Sequence, residues 1–580
     1  MAHDISPLPL RVPPTAIVGV LVLTLCFWVV RLAYRRPLPG IPYNRDAAKR
    51  LMGDLAELGE WEKNGKGIRP WFLAQAHRHN SALTQIFLGP FAQPAVLVSD
   101  YREVNDILSH RDAVDFKRGK KVDVFSGLLP HAFPAMETFD PRFKSSRDLV
   151  RDLMAPSFLN TVNVPHVYAV ACNLLELWST KARMAKGHPF NVFNDIVEFS
   201  FDAILSAATG LGPEGGDVKR QLSHLAAVED DGSYVVDREL EVDDLVHLPA
   251  AEQSLKLWAL GVNEESLWKG FYMPWPRLYH RANKLLPSVR KAEGTLKEYM
   301  ESQITAAIPR LSEGGHPESA LDYTIQREMK AAEKVGREPF FRDPRILDQL
   351  SGYLIAGHDT STGSLLWLMR RLLSHPEEQK KIRANLRETY SAAWDEKRLP
   401  TPAEIIHRSP YLDAFIEEVL RFNTPVVTIM VTTSMNTIVL GHPVPADTQV
   451  FLNLTGASIN MPSVPVEEHM RSETSRTYKP ARQDWDDLDP GAFRPERWLK
   501  RGEDGKLVFN AASGPTLAFS AGNRGCWGKR LGYLELRVLL TLLLWKFDFE
   551  LPEKLVSWNT YDSLVTAPKE CIMRVSEVYQ

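Results

Sequence analysis

The stretch Phe519-Ser520-Ala521-Gly522-Asn523-Arg524-Gly525-Cys526-Trp527-Gly528 decides how this chain is read. One cysteine sits in a glycine-rich turn, with an arginine two residues upstream and an apolar run from about Leu531 to Leu544 just after it. Glycines let the backbone curl tightly and aim free N–H groups at a single atom. Those donors, Arg524 and the N-terminal end of the following helix all favour a thiolate. A thiolate held this way suits axial ligation of heme iron, where it pushes electron density toward bound oxygen. Two plainer readings stand beside this one. Lone cysteines are commonly small buried hydrophobes. A glycine-rich turn ahead of a helix can also bind phosphate, but no Gly-Lys-Ser/Thr follows at the required spacing.

Working outward, the second informative segment begins at Asp343-Pro344, an N-cap followed by proline at the first helical position. The pattern predicts a helix to about Leu373, ahead of Ser374-His375-Pro376. That is roughly 30 residues, or ~45 Å. The helix is apolar on most faces, so it should cross the core. Its middle nevertheless reads Ala356-Gly357-His358-Asp359-Thr360-Ser361-Thr362-Gly363. A central glycine costs ~1 kcal/mol relative to alanine, and polar groups there need partners. A local rule broken in the middle of a core usually marks a functional site.

The full chain of 580 residues, 44% of them apolar, allows a large domain with a deep core. A net charge of -3 offers no basic field for nucleic acid, so none is expected as a partner. The four cysteines, Cys26, Cys172, Cys526 and Cys571, form no Cys-x-x-Cys, which argues for a reducing compartment and against structural zinc. Thr15 to Val30 are apolar apart from two threonines, and Leu32 to Tyr34 extend the run past Arg31. This is close to the ~20 residues of a membrane span. Trp28 and Tyr34 suit the interface, and Arg31, Arg35, Arg36 and Arg45 outnumber Arg11, which places the rest of the chain in the cytosol. A cleaved signal peptide would need a positive n-region and a small-residue cleavage site, and neither is evident. The expected organisation is a membrane anchor with flanks over 1–36 and a catalytic domain over 37–580. A stiff Pro37-to-Pro42 hinge joins them.

Strand-like runs are few: Leu83 to Leu88, Ala95 to Ser99, Thr437 to Leu440 and Gln449 to Leu454. Helical patterns dominate from Asp140 to Leu420. Two long segments, Gly119 to Pro141 and Ala457 to Pro490, read as irregular loops, which at that length are usually functional or disordered. The reading is a mainly α fold with a small β-sheet region, preceded by one N-terminal transmembrane helix.

Residues Phe519 to Gly528 closely resemble the heme-binding signature of the cytochromes P450, the heme-thiolate monooxygenases. Three further landmarks fall in that family's order: Ala-Gly-His-Asp-Thr at Ala356 to Thr360, Glu-x-x-Arg at Glu418 to Arg421, and Pro-Glu-Arg-Trp at Pro495 to Trp498. With the N-terminal anchor they span nearly the whole chain, in the style of the membrane-bound fungal members. The resemblance implies heme b ligated by Cys526, with Phe519, Gly522, Gly528, Ala356 and Gly357 around the ring and Arg524 and Arg151 on its propionates. It implies that Thr360 and Asp359 manage protons, and that Glu418, Arg421 and Arg497 form a structural triad. His358 is a poor second ligand, because the helical turn carries it ~100° from Gly357. Two positions depart from the family. Arg147 stands where a tryptophan is usual, four residues before Arg151, and Thr432 where an arginine is frequent. Arg147 is therefore a candidate for part of the propionate clamp.

The resemblance further implies one-oxygen insertion into an apolar small molecule, as in specialised metabolism. Electrons would come from NADPH through a diflavin reductase, with cytochrome b5 as a further donor, at the endoplasmic reticulum membrane. Arg524, Lys529, Arg530 and Arg537 could dock the reductase, or simply form a solvated helix face. The substrate pocket is expected from Asp123 to Pro134, around Leu354 to Thr360, and from Val426 to Met430, under a roof that includes Glu229 to Pro276. Rival classes are a heme-thiolate isomerase, dehydratase or peroxygenase that needs no reductase, a heme sensor or carrier, and a non-heme membrane protein.

Overall fold

Apolar residues at helical spacing carry most of the core, and the computed structural model describes residues 14–33, 36–64, 67–90, 93–477 and 489–578. The helices that bear on the site are α1 (Pro14–Ala33), α2 (Lys120–Leu128), α3 (Pro141–Leu149), α4 (Phe193–Thr209), α5 (Leu255–Tyr272), α6 (Pro276–Asn283), α7 (Pro344–Ser374), α8 (Pro410–Phe422) and α9 (Lys529–Lys546). A five-stranded sheet uses β1 (Leu83–Ile86), β2 (Ala95–Val98), β3 (Phe116–Lys117), β4 (Thr428–Thr433) and β5 (Gln449–Asn453), in the order β1-β2-β5-β4-β3. Its one parallel pair sets Val96 opposite Val450. A late hairpin, β6 (Thr560–Asp562) with β7 (Thr566–Pro568), lies against α7: Trp367 donates its indole N–H to the Thr566 carbonyl at 2.8 Å.

The long helix starts as the sequence implies. The Asp343 side chain accepts from the Arg345 N–H at 2.8 Å, and the helix ends ahead of Pro376. It is buried over most of its length. Gly357 makes its close approach to α4 possible, since a Cβ there would stand 2.5 Å from Ile204 Cδ1.

Both segments expected as loops contain helix. α2 fills 120–128 because His280 of α6, 1% exposed, seats between Gly127 of α2 and Gly270 of α5. An added Cβ would meet the imidazole at 2.3 Å from Gly127 and 2.8 Å from Gly270. A short helix covers Glu473–Thr477 in the second segment, and its 478–488 part lies outside the described residues, as do Arg11, Tyr34 and Arg35 of the anchor argument. The stretch 229–276 is irregular only to Ser254, where the serine hydroxyl caps α5.

The transmembrane expectation is not met among the described residues, where no helix is long and apolar enough to cross a membrane. In α1 the side chains of Gly19 to Val29 are all exposed.

Glu418 is the centre of a buried ion network. Its carboxylate accepts two hydrogen bonds from Arg421, at 2.8 and 2.9 Å, and both side chains are fully buried. Arg497 lies 3.6 Å from the same carboxylate, and the Trp498 indole N–H and the Arg494 backbone N–H donate to it at 2.9 and 2.8 Å. Arg421 donates in turn to the carbonyls of Ile459 (2.6 Å) and Pro490 (2.8 Å). Bidentate, charge-assisted pairs of this kind are strong and directional. Here they join α8 to the segment that leads into the cysteine turn. Removing one partner leaves buried charge uncompensated. Glu418→Ala is expected to lose roughly 3–5 kcal/mol of stability, read as a lowered urea midpoint with loss of bound heme, whereas substitution of the exposed Glu377 is expected to leave both unchanged.

Candidate functional site

The cysteine turn is built by two non-helical requirements. Ser520 and Gly522 both take positive φ, +58° and +69°. A Cβ on Gly522 would lie 2.0 Å from the Leu108 carbonyl oxygen, so this glycine serves contact with the Tyr101–Ser109 helix. The Cys526 N–H then donates to the Phe519 carbonyl at 2.8 Å, and the Gly528 N–H donates to the sulfur. Phe519 stacks on Tyr533 at 4.8 Å between ring centres. Burial pushes the Cys526 thiol up, while the Gly528 N–H and the charges of Lys529 and Lys121 pull it down.

Surface area and depth disagree for Cys526: the side chain is accessible, yet burial is the largest influence on its thiol. An opening enclosed by the fold reconciles the two. The same opening explains α7, where Ala356 is exposed and Thr360 half-exposed in the middle of an otherwise buried helix. These two residues are one turn apart and share a face. Gly357 does not share it, since its missing side chain is replaced by Ile204. The two helices are joined where Ser361 donates to Glu535 of α9 at 2.6 Å. The surface clefts of about 400 Å³, lined by Arg383 and Asp548, and about 670 Å³, lined by Arg111 and Arg471, take in none of these residues.

Four cations gather at one edge of the opening. Arg118 is 1% exposed, and its Nε and Nη2 donate no hydrogen bond, although Nη2 stands 3.2 Å from Asp112. Arg524 stacks on Phe143 at 4.3 Å and leaves Nη1 without an acceptor. Its guanidinium is lowered to about 10, by burial first and then by Arg118. Lys121 is lowered to about 7, by burial, Arg118 and Arg524, with Cys526 and Asp112 opposing. Arg147 donates to the Asn523 carbonyl at 3.1 Å, which ties α3 to the turn. Glu137 shapes the loop carrying the first cation by accepting the Arg118 and Gly119 N–H groups at 2.7 and 2.8 Å. Buried donors with no acceptor are costly. Placed beside a cysteine sulfur and an open helix face, they fit the two propionates of a heme.

Arg151 is not part of this group. Its side chain is 65% exposed, 3.6 Å from Asp152 and close to Arg327. Arg537 is not part of a docking face either: it is buried and pairs with Asp413 at 2.8 Å, while Lys529 and Arg530 stay exposed. The acid and hydroxyl of α7 also point apart. Thr360 donates to the Ala356 carbonyl at 2.6 Å, and Asp359 accepts from Ser563 of the β6–β7 turn at 2.8 Å. Burial and the charge of Glu264 raise Asp359 to about 7, with His358 and Ser563 opposing. His358 pairs with Glu264 of α5 at 2.9 Å, which accounts for it without a metal. Arg118, Lys121, Ser563 and Glu264 were missed from sequence. Only the basic run Arg118-Gly119-Lys120-Lys121 carried a signal, and it lay in a segment read as loop.

Comparison with known proteins agrees with this geometry. The cytochrome P450 family profile matches residues 52–461 and 485–575, most of the chain. A Penicillium rubens protein named cytochrome P450 monooxygenase xilC is 32% identical over 539 residues, covering 92% of this chain and 91% of its own length. Cytochrome P450 monooxygenase TRI13 of Fusarium sporotrichioides is 29% identical over 603 residues, covering 96% and 99%. A Dothistroma septosporum protein named Hps1-dma1 cluster cytochrome P450 monooxygenase cyp3.1 is 37% identical over 317 residues, covering 51% and 97%. The chain belongs to the cytochrome P450 family, whose members carry heme iron. The relatives it matches over most of their length are fungal proteins named as monooxygenases.

Arg118→Gln, Lys121→Met and Arg524→Gln are each expected to speed heme transfer to excess apomyoglobin by at least several-fold, the cost of a lost charge-assisted hydrogen bond. Arg151→Gln is expected to leave the transfer rate unchanged.

Proposed function

We propose that this protein is a heme-thiolate monooxygenase that inserts one oxygen atom of O2 into an apolar small molecule of fungal specialised metabolism. It works at the cytosolic face of the endoplasmic reticulum membrane, anchored through α1 and its flanks. Electrons come from NADPH through a diflavin reductase, with cytochrome b5 as a second donor. The observation that carries the reading is the convergence of the Cys526 turn, the open face of α7 at Ala356 and Thr360, and buried unpartnered donors on Arg118 and Arg524. The exposed apolar side chains from Val20 to Val29 support the anchor. The named monooxygenases among the relatives support the reaction class.

Heme held here supplies an iron centre for reductive activation of dioxygen. The chain supplies the rest. Cys526 ligates through a sulfur whose charge the Gly528 N–H and Lys529 favour. Arg118, Lys121 and Arg524 hold the carboxylates of the ring, and Arg147 braces the turn through Asn523. Asp359, standing near 7, keeps a proton available at neutral pH, and Ser563 orients its Oδ2. The Thr360 hydroxyl, parked on the Ala356 carbonyl, carries a transferable proton at the open face. Half-buried Val426 and Ile429 and the Phe133–Trp527 edge contact at 6.0 Å present apolar surface to substrate.

Reduced protein under carbon monoxide is expected to show a red-shifted Soret band that Cys526→Ser abolishes; a serine variant that kept the band and full pigment would overturn the assignment. Product formation is expected to require NADPH and reductase and to incorporate one atom from 18O2. Reductase-independent product would favour an isomerase, dehydratase or peroxygenase instead. Deletion of residues 1–36 is expected to move the protein from the membrane pellet to the supernatant, and full-length protein found in the supernatant would count against the anchor.

A further inference from the structure

Glu264 lies in the middle of α5, and its side chain is only 9% exposed. Its partner across the helix interface is His358 of α7, 6% exposed, with Nδ1 2.9 Å from Oε1. A buried ion pair repays its desolvation only with good geometry, and breaking one side is more harmful than never having had it. Such a pair is weak evidence for stability, so its position matters more than its strength. His358 is followed by Asp359 and then Thr360. Asp359 is gripped on its other side by Ser563. Every element packed there contributes. α5 brings Glu264, the β6–β7 hairpin brings Tyr561 and Ser563, and α4 brings the edge of Phe201, 6.0 Å from the imidazole centre. The charged groups that Asp359 meets are therefore Glu264 and His358.

α5 is also a roof element. With α2 and α6 it closes around His280, and Phe125 of α2 meets Phe271 of α5 edge-on at 6.2 Å. One residue of the roof thus reaches through to the helix that carries the acid and the hydroxyl.

We propose that Glu264 is a positioning residue of α7: its ion pair with His358 ties the roof to this helix and fixes the charge that Asp359 meets. The structural claim stands by itself, and its consequence for turnover rests on the monooxygenase reading above. Glu264 raises the Asp359 carboxyl more strongly than His358 lowers it. Neutralising Glu264 therefore makes Asp359 more acidic whether His358 keeps its proton or releases it. Displacement of α5 that lengthens the 2.9 Å contact has the same sign, so roof position and proton supply are linked.

The test is an infrared titration of the carboxylic-acid C=O band in full-length protein, with the band assigned through Asp359→Asn. In the parent the band is present at low pH and disappears as pH rises through about 7. In Glu264→Gln the midpoint is expected to fall by about one pH unit or more, a tenfold change in the proton equilibrium. Glu264→Asp, which keeps the charge on a shorter stem, falls between, and His358→Gln moves the midpoint upward. A Glu264→Gln midpoint within about 0.3 units of the parent, or a downward shift in His358→Gln, overturns the proposal. If Glu264→Gln does not fold, Glu264→Asp decides by the same titration, with an unchanged midpoint overturning the proposal. NADPH oxidation with reductase and no added substrate is expected to lose rate at a correspondingly lower pH in Glu264→Gln. Absence of the carbon-monoxide band in the parent would overturn the monooxygenase reading while the infrared midpoints still judged Glu264.

Discussion

The buried charge of Glu418 is the constraint around which distant segments of the fold are gathered. One buried carboxylate gathers Arg421, Arg497, the Trp498 indole and the Arg494 backbone. Arg421 then reaches the Ile459 and Pro490 carbonyls, so segments far apart in the chain share one charge centre. No water competes there, and the low local dielectric makes each bond both stronger and harder to lose. The turn that presents Cys526 comes later in the chain, from Phe519 to Gly528. It is a chain of short bends, two with positive φ, closed by the Cys526 N–H on the Phe519 carbonyl and the Gly525 N–H on the Gly522 carbonyl.

The long helix α7 shows how a core tolerates polar groups. His358, Asp359 and Ser361 each find a partner from a different element: Glu264, Ser563 and Glu535. Burial alone would penalise all of them. Together they leave only the Ala356–Thr360 face open, because the adjacent glycine is filled by Ile204. Helix periodicity separates these two faces by about 100°. The glycine at 357 is thus also a packing contact between α7 and α4.

The missing arginine at 432 and the cations at 118 and 121 are linked by one steric fact. Gly119 runs so close to Thr432 that a Cβ would stand 2.2 Å from Thr432 Oγ1. Any side chain at 119 would collide with Thr432. The small threonine admits the loop, and the loop delivers Arg118 and Lys121. Arg147 completes the group through the Asn523 carbonyl, while Arg151 turns to the surface toward Asp152 and Arg327.

Local signals were legible wherever the physics is local. The Asp343-Pro344 start of α7, the strand-like runs of β1, β2 and β5, the glycine-rich cysteine turn and the Glu-x-x-Arg pair could all be read along the chain, because capping, short apolar runs and tight turns involve residues a few positions apart. The helix inside 119–141 was hidden, because His280 and the two glycines that admit it are brought together by packing. Side-chain direction was hidden for the same reason. By itself the sequence determined the family, one cysteine in a glycine-rich turn and the polar residues in the middle of a long apolar helix. The tertiary structure decided which cations face the opening, which way Asp359 points and who partners His358, since those depend on contacts between residues as much as 376 positions apart, and burial strengthens charge and hydrogen bonding only where the fold excludes water.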